Sequence, residues 1–340
     1  HLALRDLAVL EATQPDRVYA FNHIITQETA YGTLLFQQRR GMHRTVAGWY
    51  EDTYGAGADA PPPIDGAAAL EPFYPLLVHH YERAEDVGRE RVYGLLAGER
   101  AAAQYANADA VRFLSRALDI ADAGDAAIRY RLLAAREGVH DRTGDRAAQA
   151  GDFAAMAALA EGEGGGGHPR WRPEVMLRRA NLAAVIGDYA DAAATAEEGM
   201  DLARDKGDRS LEVRGLIVLG KIDWQRGRFS ESRNNYMVAL DLSKAMRDTR
   251  SEAEVLLNLS AVEAKQGRAA DSMTAGERSL ELHRAIGDRA GEAGCLTSLA
   301  ATSYEQGEYA TILRYYEEAS AICRLIGHRR GLSIIEGNLG

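Results

Sequence analysis

Two interleaved series of glycine-polar turns, each repeating every 40 residues, constrain this chain more than any other feature. The first series runs Gly187-Asp188-Tyr189, Gly227-Arg228-Phe229, Gly267-Arg268-Ala269 and Gly307-Glu308-Tyr309. The second falls midway between them: Gly207-Asp208, Arg247-Asp248, Gly287-Asp288 and Gly327-His328. Glycine just past a helix takes the left-handed conformation that closes the last turn. An aspartate beside it caps the helix that follows. Each pair therefore stops one helix and starts another. A half-period holds one helix of about 15–17 residues and a short turn. Between the turns apolar residues fall at helical spacing, as in Leu216, Leu219 and Ile222, or Leu256, Leu259 and Val262. The spacing predicts an all-α array of stacked antiparallel helix pairs over residues 174–340, with four units and the start of a fifth.

Composition agrees with helices and narrows the function. Hydrophobic residues make up 46%, charged residues 26%, and only 8 prolines interrupt the chain of 340 residues. That length predicts more than one core or one elongated array. The net charge of −10 argues against direct nucleic-acid binding, which needs a basic surface. Cys295 and Cys323 lack metal-ligand spacing and point to a reducing, cytoplasmic setting. No run approaches the roughly 18 apolar residues that cross a membrane, and no signal peptide is visible. The chain begins at His1 and ends at Gly340, inside the first helix of the fifth unit, so a fragment of a larger protein is expected.

The repeat resembles the tetratricopeptide family. That pattern sets a leucine and a small residue eight and seven positions before the turn glycine, met by Leu219-Gly220, Leu259-Ser260 and Leu299-Ala300. It sets an aromatic two positions after the glycine, met by Tyr189, Phe229 and Tyr309, and a small residue five after it, met by Ala192, Ser232 and Ser272. The first unit departs with Arg179-Ala180 and the last with Ile312. The family's common period is 34, so 40 implies longer helices. The resemblance implies a right-handed superhelix whose concave groove binds a protein or peptide.

The front half carries a second resemblance. Phe21, His23, Gln27-Glu28, Ala30-Tyr31, Leu34-Leu35, Arg39-Arg40 and His43, then Leu77 through Ala84 and Ala110 through Leu118, follow the order of a segment found after the ATPase module of bacterial signalling proteins. Adenylate or guanylate cyclases fused to an ATPase, and ATPase-type transcriptional regulators, are the parents this implies. On that reading residues 1–55 are a helical or winged-helix-like connecting segment after an ATPase module. Residues 70–163 are degenerate repeat-like helices, with a turn at Gly144-Asp145. Pro61-Pro62-Pro63 and Gly164–Gly167 are loop and linker.

No chemistry-bearing motif is found. There is no phosphate loop ending in Lys-Ser or Lys-Thr and no His-Glu-x-x-His helix. His79 and His80 are adjacent, about 100° apart on a helix, which serves a single metal poorly; packing and hydrogen bonding are expected there, with no metal and no cofactor. His23, Glu28 and His43 are read as parts of a structural joint. No serine or cysteine stands in a nucleophile elbow. The fragment is therefore expected to be non-catalytic.

Binding is expected where the first helices line the groove. The register puts Asn181, Arg214, Lys221, Trp224, Asn258 and Tyr304 there. A tryptophan beside Arg214 and Lys221 suits an extended acidic or aromatic peptide. Packing of Trp224 and Tyr304 between units is the alternative. Asn181 fits one place in the carboxylate clamp of chaperone-binding repeats, but Leu177, Val218, Glu254 and Asn258 stand where the other clamp groups belong. The reading is a regulatory module that couples partner capture to an upstream ATPase or cyclase. A small-molecule inducer sensor of an ATPase-type transcriptional regulator is its rival.

Overall fold

The computed structural model describes residues 8–12, 18–21, 23–55, 68–162, 168, 170–305 and 309–339. The turn at Gly307-Glu308, the prolines 61–63, the glycines 164–167 and Gly340 lie outside the described residues. The chain divides into two compact units, residues 1–100 with 112–121, and residues 101–111 with 122–340.

The first unit opens with an antiparallel hairpin of β1 (Ala8–Ala12) and β2 (Val18–Phe21), in which Ala8 pairs with Phe21 and Leu10 with Tyr19. This is the one departure from helix among the described residues. Helices α1 (Ile24–Thr33) and α2 (Phe36–Tyr54) follow, then a 3₁₀ turn (Ala68–Phe73), α3 (Tyr74–Arg83) and α4 (Val87–Ala103). Ala47, Leu70, Leu77, Tyr81, Tyr93 and Phe113 form the core. One carboxylate sits among them. Glu51 accepts hydrogen bonds from Tyr81 Oη and Tyr93 Oη, each at 2.6 Å, and pairs with Arg89. The two tyrosine rings stack at 5.7 Å. Burial, reinforced by the Glu51 bond, pushes both phenols up, so they stay donors. A buried carboxylate needs such a full set of partners.

In the second unit, helices alternate as the turns dictate. They are α5 (Asn107–Asp119), which starts in this unit, α6 (Ala126–Thr143), α7 (Arg146–Glu161), α8 (Trp171–Ile186), α9 (Tyr189–Asp205), α10 (Arg209–Gln225), α11 (Phe229–Met246), α12 (Thr249–Lys265), α13 (Ala269–Ala285), α14 (Arg289–Glu305), α15 (Tyr309–Leu325) and α16 (Arg329–Leu339). From α8 to α13 each helix runs 16 to 18 residues, as the 40-residue period requires. The pairs pack in order, each against the next, into a superhelical stack.

The turns behave as their chemistry demands. Gly187, Gly207, Gly227, Gly267, Gly287 and Gly327 all have positive φ, between 66° and 92°. Asp188, Asp208, Asp248 and Asp288 accept from the backbone N–H three residues on, at 3.0 to 3.2 Å. Gly144-Asp145 does the same between α6 and α7. Arg228 and Arg268 hold cap positions without a side-chain cap bond and instead pair with Asp223 and Glu263.

The small residues let the helices approach. Ser232 Oγ donates to the Gly220 carbonyl at 2.8 Å, and Ser272 Oγ to the Ser260 carbonyl at 2.9 Å. Both hydroxyls are buried, and both satisfy the polar group that close packing would otherwise strand.

Candidate functional site

The inner face of the second unit encloses a cavity of about 1060 Å³. First helices supply Asn181 from α8, Lys221 and Trp224 from α10, and Asn258 and Ala261 from α12. Asn181, Lys221 and Ala261 occupy equivalent places in successive units, 40 residues apart, because that period returns the same helix face to the same side. The rest of the wall comes from further away in sequence. The α6–α7 turn contributes His140 through Arg146, the start of α5 contributes Asn107 and Ala108, and the α15–α16 turn contributes His328 and Arg329.

Charge on this wall is partly committed. Lys221 Nζ lies 2.7 Å from Glu254, and Arg146 lies 2.7 Å from Asp141. Asp145 is engaged as the cap of α7. Arg142 donates to Asn107 Oδ1 at 3.2 Å and lies over the Tyr105 ring; burial lowers its pKa. Two donors of lining residues are buried without an acceptor among the described residues: Arg142 Nε and Trp224 Nε1. A buried donor left unmatched costs about 1–3 kcal/mol, and both atoms lie beneath the cavity surface rather than on it.

A second cavity of about 290 Å³ adjoins the same helices. Its charged lining, Glu137, Arg178, Arg214, Lys221 and Glu254 among it, belongs to an ion network that reaches Glu174 behind the wall. Glu174 bonds Arg178 at 2.9 Å and Arg214 at 3.3 Å, and Arg178 also reaches Glu137. Burial alone would raise the Glu174 pKa, but the two guanidiniums outweigh it and hold it low. The charge of Lys221 holds Glu254 low in the same way.

The six sequence-predicted residues thus separate. Asn181, Lys221, Trp224 and Asn258 share the large cavity, and Asn181 and Lys221 also line the smaller one. Arg214 faces the smaller one, paired with Glu174. Tyr304 stands elsewhere on α14 and is 67% exposed. Trp224 is half-buried, packs against the core of α10 to α13 and also lines the cavity. Sequence reasoning missed Asn107, Arg142 and Arg329. The Arg-rich flanks of the Gly144-Asp145 turn were the available signal.

Comparisons with known proteins agree with this architecture. Residues 251–324, nearly all of α12 to α15, match the tetratricopeptide repeat family model. No curated protein matches the chain in sequence. The apo form of RapI has a similar structure, with a TM-score of 0.61, 11% identity, and coverage of 85% of this chain and 98% of that one. A Rap protein complexed with competence and sporulation factor gives 0.55 and 9%, covering 89% and 96%. A signal transduction ATPase with numerous domains and a tetratricopeptide repeat sensor, from Pyrococcus horikoshii, gives 0.56 and 13%; it matches 98% of this chain, which spans 47% of that protein. At such identities the likeness is one of fold. No described helix is long and apolar enough to cross a membrane. The chain carries tetratricopeptide repeats within a superhelical fold that it shares with Rap proteins and with the repeat sensor of a signalling ATPase.

Proposed function

We propose that this protein is a regulatory interaction module whose large cavity captures an extended protein or peptide segment. The observation that carries this reading is a cavity of about 1060 Å³ into which α5, α8 and α12 bring Asn107, Asn181 and Asn258. A peptide supplies carbonyl and carboxylate oxygens, and Asn107, Asn181 and Asn258 offer amides that match a peptide backbone. A Rap protein solved with competence and sporulation factor supports the same use of the fold.

Coupling to an upstream ATPase or cyclase in the cytoplasm belongs to the same proposal. It is supported by the fold likeness to an ATPase with a repeat sensor and by the free, buried state of Cys295 and Cys323. Ile24, Ile25, Leu35, Phe36 and Met42 on and beside α1 and α2 are exposed, and an apolar surface of that kind marks a contact with another domain.

Photo-cross-linking from Asn258 in cells, followed by mass spectrometry, tests the reading. Recovery of a protein or peptide adduct, absent when the probe is moved to exposed Glu197, supports it. Adducts of equal yield from both positions would refute it. The rival reading, a small-molecule sensor, is favoured by the volume, which lies near the upper end of ordinary ligand pockets of about 300–1,000 Å³. A metabolite library that raises the melting temperature, with no cross-linked peptide, would select it.

A further inference from the structure

We propose that His43, His79 and His80 form a binding site for a divalent transition-metal ion, zinc in the first instance, that clips α2 to α3. One ligand nitrogen from each of the three rings lies within 4.8 Å of the other two. Ring centroids are 5.7 Å apart for His43 and His79, 5.1 Å for His43 and His80, and 5.4 Å for His79 and His80. Two adjacent helical histidines diverge too far to make a site alone. His43 changes that, because α2 brings it up to both.

The hydrogen bonding prepares His43 as a ligand. Its Nε2 lies 2.9 Å from Tyr31 Oη, and its Nδ1 lies 2.8 Å from His80 Nδ1. When Nε2–H donates to the tyrosine, Nδ1 is left as a lone pair aimed at His80. Metal-ligating histidines are oriented in this way by a partner on the far nitrogen. Two facing Nδ1 atoms at this distance share one proton, which a metal ion would replace. Around a tetrahedral zinc with bonds of about 2.0–2.1 Å, two nitrogens stand about 3.3 Å apart, so loading widens this pair by about half an ångström.

The protonation state favours the ion. Burial, with His43 and His79 nearby, brings the His80 pKa down to about 4, and burial, His79 and Arg83 lower that of His43. Both rings are therefore neutral at pH 7, and a metal displaces few protons. Imidazole donors select zinc, cobalt, nickel or copper over magnesium or calcium. His79 is exposed while His43 and His80 are half-buried, so the ion has an open approach and keeps water as its fourth ligand. The nearby Arg83 charge opposes a cation, which sets the expected dissociation constant in the micromolar range rather than lower.

The test uses the untagged 340-residue chain. Titration with Co²⁺ should give visible d–d absorption that saturates near one equivalent, and Zn²⁺ should displace it and raise the melting temperature. His79→Ala, at an exposed position, should weaken Zn²⁺ binding at least about tenfold while leaving the far-ultraviolet circular dichroism and the melting temperature in EDTA unchanged. His43→Asn should do the same to binding. His168→Ala, in the other unit, should leave it unaltered. No saturable Co²⁺ or Zn²⁺ binding below about 100 µM, or binding that persists undiminished in His79→Ala and His43→Asn, overturns the proposal.

Discussion

The Tyr105 hydroxyl meets Asp288 across 183 residues of sequence. It donates to Asp288 Oδ1 at 3.4 Å and accepts from the Ala290 backbone N–H at 3.0 Å. The turn before α5 is thereby fastened to the start of α14, within one unit. Arg142, which lines the large cavity, lies over the same tyrosine ring. Tyr105 holds this place with a φ of 60°, a conformation unfavourable for a residue with a side chain. We expect Tyr105→Phe to lower stability by about 1 kcal/mol, the net worth of one hydrogen bond. Urea denaturation measures the loss, and faster hydrogen exchange at the Ala290 amide localises it.

Asp288 makes that fastening sensitive to acid. Burial alone would raise its pKa, but bonds from His283 Nδ1 at 3.1 Å and Gly291 N–H at 3.0 Å outweigh it and bring it to about 2. In the unfolded chain the carboxyl titrates near 3.8. The folded state therefore binds the proton less readily, and its advantage is present above pH 4 and is lost as pH falls from about 4 to about 2. The contribution is about 2 kcal/mol. Asp288→Asn should be less stable than the parent at pH 7, with the gap closing over that pH window. A constant gap from pH 7 to pH 2 would show that the charge is not involved.

In the first unit the buried carboxylate that holds the core together is Glu51. It accepts from both Tyr81 and Tyr93 and pairs with Arg89. Glu51→Ala strands two buried hydroxyls and a guanidinium, and should destabilise the unit by about 3–5 kcal/mol. Glu51→Gln keeps the acceptor and loses the charge, so it should cost less. Thermal melting of the two variants side by side decides the order.

Turns and small-residue contacts were legible in the sequence, because left-handed turns and close helix approaches admit few residue types. Gly220 shows the second kind. A Cβ there would run into the Tyr236 ring, which is buried and has nowhere to move. Gly220→Ala should destabilise by about 1–3 kcal/mol. Arg247 shows the first kind by exception. Register placed it where glycine belongs, and it has φ 57°. Arg247→Gly should therefore stabilise, by up to about 1 kcal/mol. Chemical denaturation of both variants tests the same reading with opposite signs.

Other features were not legible, for a common physical reason. The approach of His43 to His80 joins residues 37 positions apart on different helices, and no local period encodes such a crossing. The hairpin of β1 and β2 is short and lies in a segment expected to be helical or winged-helix-like, which fixed no strand positions. The cavity wall at Asn107, Arg142 and Arg329 depends on superhelical curvature, which sums small rotations over many units. Register arguments reach neighbouring repeats and stop there.

The cavity makes the last prediction a contrast between residues that sequence had grouped together. Of the two cavities, Trp224 and Asn258 line the large one, Asn181 lines both, and Arg214 lines the small one and is held by Glu174. Asn258 Nδ2 already donates to the Glu254 carbonyl at 2.8 Å, which orients its Oδ1 for a ligand amide. Asn258→Ala should therefore weaken partner binding by about 1 kcal/mol, roughly fivefold, with little change in melting temperature. Arg214→Ala should do the reverse. It leaves Glu174 half-buried with one cation fewer, which destabilises the fold while affinity, corrected for the folded fraction, stays the same. Trp224→Phe removes a donor that lacks an acceptor, so any loss of stability must come from packing alone. Isothermal titration with the cross-linked partner, run with differential scanning calorimetry on each variant, separates these outcomes. Equal affinity losses in Arg214→Ala and Asn258→Ala would mean that both cavities belong to one binding surface.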